Sequence, residues 1–299
     1  MNIYLTGLIL CREIFVKVNS VDNKKGIYVF QLDEKNYIKF CPNRGGLITN
    51  WVSEGREILY FDEKRFIDKT KSIRGGIPIL FPICGNLDIP NSLFGKKYMP
   101  FMQHGFARDL QWQHCLNEQK NSLCLILQDT EKTKTFYPFN FELKIEVSLK
   151  INCLKFIINI QNKTNIEMPI NFGLHPYFNI SDFKNLNFID NPLNCQDQKN
   201  NSLRNTFDEL KNINNGIDLL MYTSGRSSFR DDFFKRQVTL MHPSPFDLGV
   251  IWSDPPRKMV CLEPWTSPRN SLVNGLRKIS IPPNSSQILD ASILINTLK

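Results

Sequence analysis

Four ionisable residues stand in short segments rich in glycine and proline. They are Arg74 in Arg74-Gly75-Gly76-Ile77-Pro78, His104 in Gln103-His104-Gly105-Phe106-Ala107-Arg108, His175 in Gly173-Leu174-His175-Pro176-Tyr177-Phe178, and Glu263 in Leu262-Glu263-Pro264-Trp265. Glycine lets a backbone approach a ligand closely. Proline fixes a corner and cannot continue a central strand. A titratable side chain on such a rigid corner is well placed for chemistry. The chain has only four histidines, and two of them fall in these segments.

His175 precedes a proline, so its backbone is pushed to an extended conformation. It reads as a general acid aimed into a groove or as a buried histidine satisfied by backbone groups. Glu263 follows the apolar run Met259-Val260-Cys261. Desolvation there would raise its pKa towards that of a useful base, whereas a structural role would have it accept from the Thr266 or Ser267 amides. Trp265 offers either a face on which a sugar can stack or an ordinary core ring. Arg74 and Arg108 carry forks suited to hydroxyls, carboxylates or phosphate. Their alternative is an ion pair with an aspartate such as Asp109 or Asp88. His104 is a candidate hydroxyl or oxyanion donor. His114 is expected on the polar face of a strand, and His242, before Pro243, in a turn. A metal site built from His104, His175 and a cysteine has no spacing signature, so neither metal nor cofactor is expected.

The elements that must hold these residues read as strands. Residues 27–31, 37–41, 56–61, 110–112, 122–128, 141–150, 154–161, 237–241, 248–252, 258–262 and 287–296 alternate or run apolar in strand lengths. Glu142 to Ile151 keeps a strict period of two, which puts one face inward and one in water. Asn43-Arg44-Gly45-Gly46 is a turn, and 84–101 is loop-like, with Gly85, Pro90, Gly95 and Pro100 as breakers. Residues 181–216, rich in Asn, Asp, Lys and Ser, read as long connections pinned by Phe183, Phe188, Ile189 and Phe207. No helix of three turns and no internal repeat stands out. The expectation is an all-β chain, a sandwich or a barrel, in a single domain spanning residues 1–299.

Composition bounds the function. The 299 residues include 22 Phe and are 41% hydrophobic, enough for a large core. The net charge of +8 comes from 37 basic and 29 acidic residues spread without basic runs, so no nucleic-acid partner is expected. Cysteines at 11, 41, 84, 115, 124, 153, 195 and 261 form no C-x-x-C pair. They read as small buried hydrophobes in a reducing, cytoplasmic compartment. Met1 to Arg12 has a short apolar run without a basic segment before it, so neither a signal peptide nor a membrane span is expected.

Taken together, Arg-Gly-Gly-Ile-Pro, His-Gly-Phe-Ala-Arg, Gly-x-His-Pro-Tyr-Phe and the late Glu-Pro-Trp resemble the aldose 1-epimerase (galactose mutarotase-like) family from about Tyr28 to Leu298. The first two motifs are most similar to its hexose-6-phosphate 1-epimerase branch. The chain departs from that branch at Phe81-Pro82-Ile83-Cys84-Gly85, where the branch has Trp-Pro-x-Phe-Gly. The resemblance implies a single antiparallel β-sandwich with an open sugar groove and interconversion of α and β anomers. It also implies Glu263 as base on the C1 hydroxyl and His175 as acid on the ring oxygen. His104 and Arg74 would bind substrate, Arg108 a phosphate, and Asp218 a sugar hydroxyl. The partner is a sugar or sugar phosphate, and no cofactor is implied. Two other classes remain. A non-catalytic sugar-binding sandwich would not need an acid–base pair, and a glycoside hydrolase wants two carboxylates across the bond.

Overall fold

The computed structural model describes residues 17–22, 26–89 and 92–298. The expected features at Met1–Arg12 and Pro90 lie outside the described residues. The fold is a β-sandwich in which every strand pairing longer than an isolated bridge is antiparallel. One eight-stranded sheet runs, in spatial order, Leu186–Ile189, Arg226–Asp231, Arg236–Met241, Ser286–Thr297, Cys153–Asn162, Phe141–Lys150, Ser122–Gln128 and Gln113–Asn117. The other runs Ser202–Asn205, Asn194–Asp197, Asp218–Tyr222, Leu248–Trp252, Met259–Trp265, Gly173–Leu174 and Ile79–Leu80, with Tyr177–Asn179 also paired to Met259–Trp265. A five-stranded meander from Lys17–Asp22 to Arg56–Glu57 and the small pair Met168–Ile170 with Ile279–Ile281 complete the sheets. Among the described residues no helix is long and apolar enough to cross a membrane.

Alternation along the strands explains the layers. In Phe141–Lys150 the side chains of Leu143, Ile145, Val147 and Leu149 enter the main apolar cluster, as the period of two predicts. That cluster draws on both large sheets, with Leu240 and Ile293 from one and Leu219, Ile251, Val260 and Leu262 from the other. Each such side chain contributes about 1.5–3 kcal/mol by leaving water. The intervening residues of the second sheet face the other way. Asp218, Leu220, Val250, Trp252, Cys261, Glu263 and Trp265 therefore share its outer face.

Several expectations need correcting. The region 56–61 makes a ladder only at Arg56–Glu57, then single bridges from Leu59 to Phe178 and from Phe61 to Gly75. Leu110–Trp112 is irregular, because Trp112 is committed elsewhere: its backbone N–H donates to Pro42 and its indole to Ala107. Residues 181–216 hold three strands and a short helix, and in Asn194–Asp197 and Ser202–Asn205 polar side chains mask the pairing. The strand expected over 258–262 continues to Trp265 through Pro264. It can do so because Tyr177–Asn179 pairs with residues 259–261 and Gly173 with Trp265, which leaves Leu262 to Pro264 without a ladder partner on that side. His114 is not on a polar face but packs against the rings of Tyr28 and Phe40. His242 is wholly buried between the Ser227 hydroxyl and the Phe246 carbonyl.

Gly105 fixes the loop that carries His104. Its φ is +74°, and a Cβ there would stand 2.2 Å from the Phe81 carbonyl oxygen. Gly105→Ala is expected to cost at least about 1–3 kcal/mol from strain and clash together. Urea unfolding measures it, and a loss below about 0.5 kcal/mol would show that the loop can move away.

Candidate active site

The break in the ladder opposite Leu262–Pro264 is where His175 stands. Pro176 has no N–H to donate, so the chain leaves the sheet for two residues between Gly173–Leu174 and Tyr177–Asn179. The His175 backbone is held by its N–H bond to the Pro78 carbonyl. Its imidazole stacks on Tyr177 at 4.6 Å and 7° and meets Trp252 edge-on. Across the break, Glu263 Oε1 lies 3.4 Å from His175 Nε2. The other oxygen, Oε2, accepts from the Trp265 indole N–H at 3.1 Å, a neighbour two residues on and so on the same face. The Thr266 N–H is taken by the Phe172 carbonyl, so it is not available to Glu263.

All six candidate residues line one cavity of about 160 Å³: Arg74, His104, Arg108, His175, Asp218 and Glu263. Cross-strand register sets its wall, since Asp218 pairs with Trp252, Trp252 with Cys261, and Cys261 with Tyr177. His104 has a left-handed φ of +66°. Its Nδ1 accepts from the Gly85 N–H at 3.0 Å, so the ring proton sits on Nε2 as a donor. The ring packs on His175 and Trp265. Arg74 pairs with Asp254 at 3.3 Å, not with Asp88 or Asp109, and lies over the Trp252 ring. Arg108 meets Asp109 at 3.6 Å, and Asp109 is itself largely exposed. Asp218 accepts from Gln198 and from Arg269, each at 2.7 Å.

Sequence reasoning missed Arg269, Trp252 and Gln103, which line the same cavity, and gave no site role to Tyr177. Arg269 follows Ser267-Pro268, a proline-marked corner of the same type that singled out the others. Trp252 closes a strand whose alternation pointed it outward with Val250.

Burial dominates the electrostatics. It raises the Glu263 carboxyl well above its usual range, helped by the nearby Asp218 charge and opposed by the Trp265 hydrogen bond. His175 is held well below the usual histidine range, first by burial and then by Arg108 and Arg74. His104 is lowered first by burial, then by His175 and by Arg108, Arg269 and Arg74. Asp218 is raised by burial against the pull of Arg269. The pair His175–Glu263 can hold a proton in either of two places, which is what acid–base work on a bound sugar requires.

Comparisons with known proteins give the family and the fold. The sequence profile of the aldose 1-epimerase family matches residues 28–289. A Cenchrus ciliaris protein named "Putative glucose-6-phosphate 1-epimerase" is 31% identical over 153 residues, which span 46% of this chain and 42% of that one. Protein LacX of Lactococcus lactis is 25% identical over 67% of this chain and 77% of its own. The crystal structure of Slr1438 from Synechocystis superposes with a TM-score of 0.83 at 30% identity, covering 99% of both chains. A galactose mutarotase-like protein from Clostridium acetobutylicum shares the fold, with a TM-score of 0.80 at 20% identity over 95% of this chain and 99% of that one.

The raised Glu263 makes a stability prediction with a definite sign. A carboxyl whose folded pKa lies above its unfolded value contributes stability that is full below the unfolded pKa and is lost as pH rises through the folded one. Glu263→Gln, which cannot ionise, should therefore gain on the parent as pH rises above about 4.5. The gain should grow by about 1.4 kcal/mol per pH unit until the folded pKa is reached. Thermal melts across pH test this, and a gap that stays constant with pH would show Glu263 to be an ordinary carboxylate.

Proposed function

The chain belongs to the aldose 1-epimerase family, and on that premise we propose that it interconverts the α and β anomers of a hexose or hexose 6-phosphate by acid–base ring opening and closure. One observation carries the reading: His175 Nε2 and Glu263 Oε1, buried and 3.4 Å apart, on the wall of a sugar-sized cavity. Glu263 takes the proton of the C1 hydroxyl while His175 gives one to the ring oxygen. The C1–O5 electron pair leaves with O5, the C1–O1 bond becomes a carbonyl, and the chain form rotates about C1–C2. Closure on the other face returns the proton from Glu263 to O1 and takes it from O5 to His175. The pair carries one proton throughout, moved from one member to the other through the substrate. Burial raises the carboxyl and lowers the imidazole, so neither group holds the shared proton as its exposed counterpart would.

The remaining residues have substrate roles. His104 donates Nε2–H to a sugar hydroxyl, Asp218 accepts from another, and Arg74 holds a hydroxyl or the phosphate. Arg108 is the stronger phosphate candidate, because its partner Asp109 is exposed and leaves the guanidinium partly uncompensated. A third guanidinium, Arg269, lines the same wall, where Asp218 compensates it. The partly uncompensated charge of Arg108 favours the phosphorylated substrate. A binding protein without activity would need neither the buried carboxyl nor the imidazole against it.

Glu263→Gln and His175→Asn should each slow anomer exchange by about 10²–10⁴-fold while leaving the circular dichroism unchanged. Polarimetry and NMR exchange between C1 anomers measure the rate, and near-normal turnover in either variant would remove that residue from the mechanism. Added salt should raise KM for a hexose 6-phosphate more than for the neutral hexose. An equal response for both sugars would argue that no guanidinium meets a phosphate.

A further inference from the structure

Cys261 takes no part in the acid–base scheme, yet it lies on the same strand face as Glu263, two residues before it, and opposite Tyr177 in register. It is completely buried. Its sulfur, His175 Nε2 or Nδ1 and a Glu263 carboxylate oxygen all lie within 4.8 Å of one another.

We propose that His175, Cys261 and Glu263 form a binding site for zinc or a similarly thiophilic divalent cation, and that the bound ion switches the enzyme off. The switching rests on the acid–base reading above, whereas the binding does not. One nitrogen, one sulfur and one carboxylate oxygen make a donor set that zinc accepts. Magnesium or calcium would want oxygen ligands only. Zinc holds such ligands at about 2.0–2.3 Å, so they stand roughly 3.5 Å apart in a tetrahedron. The His175–Glu263 separation of 3.4 Å already meets that spacing. The thiol, within 4.8 Å of both other ligand atoms, has to close in by no more than about 1.3 Å, within reach of a side-chain rotation. Three protein ligands leave a fourth position open to the cavity for water or a sugar hydroxyl.

The surrounding charges suit a cation. Glu263, Asp254 and Asp218 act on the Cys261 sulfur, with Arg74 the one cation among the groups acting on it. Arg74 is itself paired with Asp254. Arg108 and Arg74 face His175 and oppose the ion, but the two ligand anions, thiolate and carboxylate, balance its charge of two. Binding displaces the thiol proton, and the carboxyl proton where present, to solvent. The ion then occupies both lone pairs that the epimerase reaction uses, so it is an inhibitor and not a cofactor.

The test uses cobalt as a spectroscopic stand-in and zinc as the inhibitor, on the whole protein and on Cys261→Ser and Cys261→Ala. Cobalt should give a thiolate charge-transfer band and tetrahedral ligand-field bands in the parent, and both variants should lose the thiolate band. Anomer exchange by the parent should fall by roughly tenfold or more with excess zinc and return with a chelator. The two variants should keep their metal-free activity and need roughly tenfold or more zinc for the same inhibition. A parent spectrum without a thiolate band overturns the site. So does zinc inhibition that is equal in the parent and both variants. If no sugar is turned over at all, the cobalt spectra still decide the binding, which separates failure of the site from failure of the epimerase reading.

Discussion

Everything in the site depends on one strand being buried on both faces. Met259–Trp265 sends Val260 and Leu262 into the core, Glu263 and Trp265 into the cavity, and Cys261 against Tyr177 on the same outer face. A strand covered on one side only would leave Glu263 in water as an ordinary carboxylate. Here the apolar packing that stabilises the sandwich is also what removes solvent from the carboxyl. Fold stability and chemical activation are two sides of the same seven residues.

The complementary constraint is the two-residue break that His175 and Pro176 make in the sheet. A continuous ladder there would bring backbone against Leu262–Pro264 and leave no room for an imidazole. The break costs ladder hydrogen bonds, and the His175 N–H recovers one through Pro78. Tyr177, on the far side of the break, returns to the sheet and stacks flat on the ring, so the histidine is held from its face as well as from its backbone. Placing an acid and a base in contact thus needs no loop rearrangement.

How much of this could be read from the chain varied with the physical signal. Glu142 to Ile151 announced its strand because one face is wet and the other dry. Arg74, His104, His175 and Glu263 were visible because each sits against a glycine or proline that a generic strand would not tolerate. The edge strand Ser202–Asn205 was invisible because its side chains are mostly exposed, and its neighbour Asn194–Asp197 because its four residues are largely polar and too few to show alternation. Arg269 was missed because one proline beside an arginine in a loop is a weak signal without the partner, Asp218, that tertiary structure supplies. Cys261 was read as a small hydrophobe, a description of its burial that said nothing about which side of the strand it occupies. Pro264 suggested a strand end, and only the pattern of neighbouring strands explains why it is not one.

On the proposed function, the loop around His104 bears on discrimination between sugars. With Nδ1 occupied by the Gly85 N–H, the imidazole cannot switch tautomer to become an acceptor towards the cavity. It can only give a hydrogen bond. A ligand that presents a hydroxyl or another acceptor there satisfies it, and a deoxy analogue leaves a buried donor with nothing to meet. Selectivity of this type comes from a penalty on the wrong molecule rather than a reward for the right one, and it can exceed what shape alone achieves. On the proposed function, the rigid glycine corner thereby acts as a filter on the functional-group pattern of the sugar as well as an anchor for the loop.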